Sequence, residues 1–145
     1  MTEPPRIEDF VTYRVTLLAQ LIGRDAARFA ARHGLRLPEY RLLWHLVTEG
    51  PCSPAAIVAR HAMDKGLVSR ALDGLIERGL AAQVPDPTGG RRLLAGATPA
   101  GRALHAALLP DAVSRQDALR GVLSSQELAV LDQVLDRLIA HMREA

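Results

Sequence analysis

Cysteine is almost missing from this chain: Cys52 stands alone among 145 residues. That excludes an internal disulfide framework and fits a reducing cytoplasm. Lysine is equally scarce, with Lys65 set against 17 arginines. Arginine suits planar, bidentate contacts to phosphate and guanine, but GC-rich coding gives the same bias, so the total assigns nothing by itself. No stretch approaches the roughly 20 unbroken apolar residues of a membrane span. The opening MTEPPRIEDF carries acids and prolines where a signal peptide needs a basic start and an apolar centre. Glycine-rich phosphate loops, metal boxes and nucleophile elbows are all missing, which argues against an enzyme. The five histidines (His33, His45, His61, His105, His141) never stand at i, i+4 and have no cysteine beside them. Metal-ligand spacing is therefore lacking, and neither metal nor cofactor is expected.

What remains is a chain of one-domain length, 48% hydrophobic and 23% charged, able to bury a real core. The net charge of +2 says little. Its distribution says more. Residues 60–92 hold six basic groups (Arg60, Lys65, Arg70, Arg78, Arg91, Arg92) against four acids (Asp64, Asp73, Glu77, Asp86), whereas residues 93–145 hold five against six.

The apolar positions Phe10, Tyr13, Leu17, Leu21 and Ile22 recur at helical spacing, carry on to Phe29 and stop near Gly34. A second helix starts at Pro38 and ends at Gly50. Ser53-Pro54 supplies a cap and a first-turn proline for a short helix through about His61. Asp64 caps a fourth helix, with Val68, Leu72, Leu75 and Ile76 on its inner face and Gly79 as terminator. The connection Ala62-Met63-Asp64 has the length of a helix-turn-helix. AAQVP and RRLLAGA then flank the turn formers Asp86-Pro87-Thr88-Gly89-Gly90, which reads as a β-hairpin. Thr98-Pro99 opens a helix through Leu104 and Leu108. Ser124 and Glu127 form a capping box for the last helix, whose stripe is Leu128, Leu131, Leu135, Leu138 and Met142. The expected fold is all-α with a small β-hairpin wing: a winged helix-turn-helix at 38–97, flanked by helical regions at 6–34 and 98–144.

The flanking helices each carry an apolar stripe that must be covered, within the domain or by another chain. An intramolecular bundle would do this. A homodimer is the expectation here, because DNA half-sites reward two-fold symmetry.

A helix-turn-helix puts the start of its second helix in the major groove of double-stranded DNA, so the candidates begin at Lys65. Lys65, at the positive helix end, is assigned to a phosphate. Gly66 either lets the backbone approach the duplex closely or marks a loose first turn. Ser69 can donate to a phosphate or a base edge. Arg70, opposite the inner face, can fork onto guanine; the alternative is a solvated pair with Asp73. Arg91 and Arg92 follow the hairpin turn and suit the minor groove, one pointing outward and the other back toward the domain, since neighbours on a strand face opposite sides. Ser53 reads as a plain cap whose helix end could also hold a phosphate.

Every aromatic (Phe10, Tyr13, Phe29, Tyr40, Trp44) falls in the first 44 residues. Phe10 and Phe29 are expected in the core. Tyr13, Arg14, Trp44 and His45 are the candidates for orienting an anionic ligand in a ring-lined cleft between the first two helices and the helix opened at Thr98. Cys52 would be redox-active only if the nearby helix start lowered its pKa; the inert thiol is the plainer reading.

Asp64-Lys65-Gly66-Leu67-Val68-Ser69-Arg70, LIERGL at 75–80, Asp86-Pro87 before Arg91-Arg92, and ATPAG at 97–101 together resemble the MarR family of transcriptional regulators, over about residues 38–105. The resemblance implies a homodimeric winged-helix repressor on a pseudo-palindromic operator, dimerised through its terminal helices. It also implies a small, commonly phenolic or aromatic, ligand bound between the dimerisation and DNA-binding parts. It maps the recognition arginine to Arg70 and the wing arginine to Arg91 or Arg92. Two positions depart from the pattern. Gly89 replaces an acid that typically braces a wing arginine, which implies a more mobile wing, and Ala97 replaces a leucine before the Thr98 cap. The family's hydroperoxide sensors carry their cysteine in the first helix, where this chain has none. A winged helix used for protein–protein contact is the competing class, favoured by the weak net charge and the unbraced wing.

Overall fold

A computed structural model describes residues 3–145. After a 3-10 turn at Ile7–Asp9 come α1 (Val11–Arg32), α2 (Leu37–Glu49), α3 (Pro54–His61), α4 (Lys65–Glu77), β1 (Ala81–Pro85), β2 (Leu93–Ala97), α5 (Pro99–Arg120) and α6 (Ser125–Glu144). The chain divides into two compact units, the first ending at His105 and the second covering Ala106–Ala145.

The first unit is a winged helix. Its helix starts follow local chemistry: Ser53 Oγ accepts the Ala56 N–H at 3.1 Å, and Asp64 Oδ1 accepts the Leu67 N–H at 2.9 Å. Each satisfies a donor that the first helical turn leaves unpaired. Glycine ends α4. Gly79 takes φ +71, and the Leu80 N–H reaches the Leu75 carbonyl while the Gly79 N–H reaches that of Ile76, the Schellman pattern. The tight corner between α3 and α4 turns on Ala62, held in the left-handed region at φ 49.

Phe29, Leu35, Leu42, Leu43, Leu46, Ile57, Val68, Leu72, Leu75, Leu80 and Leu94 form the core of this unit. α2 and α3 both pack on α4, so the recognition helix is seated by its buried Val68, Ala71, Leu72 and Leu75. Truncating a side chain such as Leu75 to alanine would cost about 2–5 kcal/mol. Phe29 is 1% exposed, as expected, but Phe10 is not in the core. Phe10 is the extended residue just ahead of α1 and stays 49% exposed.

β1 and β2 pair antiparallel from Ala81↔Ala97 to Pro85↔Leu93. Cys52 adds a short third rung, exchanging both backbone hydrogen bonds with Ala95. Burial pushes the Cys52 thiol above its ordinary pKa, which lowers the thiolate fraction and agrees with an inert role.

In the second unit, α5 continues past Pro110 to Arg120, further than the run through Leu108 read from the sequence. Ser124 Oγ accepts the Glu127 N–H while the Glu127 carboxylate accepts the Ser124 N–H, the capping box that opens α6. No residue of α6 is buried, and Val130, Leu131, Val134, Leu135, Leu138, Ile139 and Met142 form an exposed apolar stripe. Among the described residues no helix is long and apolar enough to cross a membrane.

Candidate nucleic-acid interface

α4 turns its apolar residues inward and leaves Lys65, Ser69 and Arg70 exposed on the opposite face. Lys65 and Ser69 are four residues apart and so share one helical row. Arg70 and Gly66 form the next row. A Cβ built on Gly66 would lie 3.1 Å from Arg70 Nη1 and 3.2 Å from Asp64 Oδ1. The Arg70 side chain therefore runs back along the helix toward its N-terminus, the direction helical side chains favour, and Gly66 makes room for its guanidinium. This is a third role for Gly66, neither a loose turn nor a bare backbone. Among the described residues no ion pair joins Arg70 to Asp73. Ser53 is half-buried and its oxygen is committed to the cap.

The wing departs from expectation in two ways. Arg91 and Arg92 precede β2, which starts at Leu93, so strand alternation does not orient them and both are exposed. Nor is the wing unbraced. Asp86 Oδ1 accepts the Thr88 N–H at 2.9 Å and the Thr88 hydroxyl at 2.6 Å, and Asp86 Oδ2 lies 3.6 Å from Arg92 Nη2. The Thr88 hydrogen bonds, joined by the Arg92 charge, hold the Asp86 carboxyl below its ordinary pKa. The Gly89 N–H closes a turn onto the Asp86 carbonyl at 3.0 Å, and Gly89 itself takes φ +84, where a side chain would be strained. One acid thus does what the sequence pattern assigned to the other. The Asp-Pro-Thr order, with a hydroxyl two residues after an aspartate, is the signal that could have shown it.

The effector candidates divide. A cleft of about 490 Å³ between α2 and α3 is lined by Trp44 and His45 together with Tyr40, Arg41, Arg60 and His61, but by neither Tyr13 nor Arg14. Those two belong to α1, with Tyr13 half-buried and Arg14 exposed. His45 is buried and shares a 3.0 Å hydrogen bond with His61. Burial, then the nearby His61 and Arg60 charges, lower the His45 pKa, with Glu49 acting the other way. Phe29, Tyr40, Trp44 and His105 form an edge-on chain with centroids 5.6, 5.9 and 4.6 Å apart. Among the described residues no three His, Cys, Asp or Glu side chains cluster as a metal site would need.

Sequence reasoning passed over Glu39. Its side chain is 5% exposed in the first turn of α2, with Arg36 Nη2 at 3.2 Å and Arg78 Nη1 at 3.6 Å. A lone acid on a helix start reads as a surface group, and only the packing of α4 buries it.

A two-helix reader with a basic wing defines a winged helix-turn-helix protein. The MarR family model matches residues 33–92. A probable transcriptional regulator from Pseudomonas aeruginosa is 31% identical, with 92% of this chain and 99% of that one covered and a TM-score of 0.78. A MarR/EmrR family regulator from Acinetobacter sp. ADP1 superposes with a TM-score of 0.90 at 20% identity, over 97% of this chain and all of that one. BpsR of Bordetella bronchiseptica, whose DNA binding is regulated by 6-hydroxynicotinic acid, gives a TM-score of 0.81 at 24% identity, with 94% and 97% covered. No curated protein matches by sequence. The chain belongs to the MarR family of transcriptional regulators.

Proposed function

We propose that this protein is a homodimeric, cytoplasmic transcriptional repressor that binds a pseudo-palindromic operator and is released by a small aromatic effector. The observation that carries the DNA reading is the outer face of α4: Lys65, Ser69 and Arg70 are exposed together, and Arg70 runs along the helix N-terminal turn with no ion pair among the described residues. Lys65 meets a phosphate, Ser69 a phosphate or base edge, and Arg70 a guanine. Arg91 and Arg92 bring the wing to the minor groove. The lobe at 38–97 reads DNA, and the helices at 6–34 and 98–144 dimerise. The exposed stripes of α1 (Val11, Val15, Leu18, Leu21, Ile22) and α6 support that assignment, since such faces demand a cover. For the effector we favour Trp44 and His45, in a cleft where Arg60 pairs with Glu49 and Arg41 supplies a further cation for an anionic ring. BpsR, which resembles this chain in fold, responds to such a molecule.

The test is an electrophoretic shift with DNA from the gene's own upstream region, followed by a duplex carrying two half-sites about 10 base pairs apart. Binding should weaken steeply with salt. Arg70→Ala should cost about 1–3 kcal/mol and relax the preference at one base pair, while Lys65→Ala should weaken all sequences alike. Salt-insensitive binding, or an Arg70→Ala variant that binds as the wild type does, would remove this reading and leave the protein-contact class.

A further inference from the structure

We propose that Glu39 and Gly74 form a lock that positions the recognition helix: the buried Glu39 carboxylate occupies a notch in α4 that exists only because residue 74 lacks a side chain. This inference rests on the DNA-binding role proposed for α4 and adds the element that sets its tilt.

Gly74 lies inside α4, where glycine is the poorest of the ordinary helix formers. A Cβ placed there would come 2.5 Å from Glu39 Oε1, closer than real Cβ contacts come, and 3.6 Å from Arg36 Nη2. The carboxylate is fixed from the α2 side, because Oε2 accepts the Arg36 N–H at 2.9 Å and Oε1 faces the Arg36 Nε at 3.3 Å. It also holds the far end of α4, since Arg78, the residue that caps this helix, lies 3.6 Å away and donates to the Gly34 carbonyl. Glu39 thus grips the last turn of α4 at Gly74 and its cap at Arg78, and both attachments lead back to the start of α2.

The lock is close to the reading residues. Gly74 is one turn beyond Arg70, about 6 Å along the axis, so a shift at the notch moves Arg70 directly. A small cavity of about 100 Å³ bounded by Arg36, Glu39, Leu67 and Arg70 joins the two. Base readout demands that two α4 helices meet one duplex at a fixed tilt, whereas phosphate attraction tolerates error. Glu39 and Gly74 are therefore positioning residues for specificity and touch no DNA themselves.

The experiment measures full-length protein on its operator and on random duplex DNA, together with the salt slope and thermal unfolding. In Gly74→Ala the added methyl meets the carboxylate and tips α4. The ratio of operator to random-DNA affinity should fall roughly tenfold while the salt slope is unchanged, because phosphate contacts persist. Glu39→Ala placed in the Gly74→Ala background removes the colliding oxygens and should restore most of the ratio. A purely structural role predicts the reverse, since the second substitution also strips a helix cap. A Gly74→Ala variant with an unaltered ratio overturns the lock. So does a double variant no better than the single one, folded or not. A wild-type chain that binds no DNA overturns the functional reading and the lock together, which separates the two failures.

Discussion

The Asp86 carboxylate faces the Arg92 guanidinium across 3.6 Å at the base of the wing, and the same carboxylate holds both the amide and the hydroxyl of Thr88. Arg92 is thereby tied to the wing's own base, while Arg91 forms no ion pair among the described residues. Arg91→Ala should lower operator affinity most where an A·T tract flanks the half-site, by roughly tenfold at moderate salt. Arg92→Ala or Asp86→Ala should act through wing order, with faster amide exchange over residues 86–92. Fluorescence anisotropy on A·T- and G·C-flanked duplexes checks the first, and equal losses on both would count against it.

Mild acid should weaken the fold through two buried histidines. Burial holds the pKa of both His45 and His105 below the ordinary 6.5, helped at His45 by the His61 and Arg60 charges. His105 Nε2 is buried beside Trp44 without a hydrogen-bond partner among the described residues. Between the lowered folded values and 6.5 the unfolded chain binds more protons. Stability is thus complete above about pH 6.5 and declines as pH falls below it. Thermal scans from about pH 7.5 to 5 should show Tm falling, and His105→Phe should flatten the decline. A Tm independent of pH across that range would contradict the assignment.

Dimerisation is expected to depend on the apolar stripes of α1 and α6. The wild type should sediment near twice the 15.7 kDa of one chain. Leu18→Asp or Leu135→Asp, at residues 55% and 41% exposed, should shift it toward one chain without destroying helicity. Operator binding should then weaken strongly, because two half-sites are no longer linked. Sedimentation velocity with circular dichroism separates dissociation from unfolding.

Packing explains why glycine stands at position 101, three residues after the Thr98 cap. The Leu80 carbonyl oxygen occupies the space a Cβ would need there, with Leu43 Cδ1 only 3.2 Å from it. Thr98 donates its hydroxyl to the Gly79 carbonyl and accepts the Gly101 N–H, pinning the first turn of α5 to the end of α4. Gly101→Ala should destabilise by roughly 1–3 kcal/mol despite the better helix propensity of alanine. Urea denaturation would show it, and a neutral or stabilising result would mean that the turn relaxes freely.

The amino-acid sequence by itself determined where four of the helices start, because a cap bonds within three residues of its own position: Ser53, Asp64, Thr98 and Ser124 all do so. It likewise determined the inner face of α4 and the hairpin, since periodicity and turn chemistry are local. Tertiary structure alone decided which charges are buried and which rings share a cleft. Glu39 meets Gly74 only when α2 packs on α4, Trp44 and His45 part from Tyr13 and Arg14 because a cleft has a definite floor, and Asp86 finds Arg92 only once the loop has closed. Contacts between residues distant along the chain depend on how elements pack, and no local pattern encodes that.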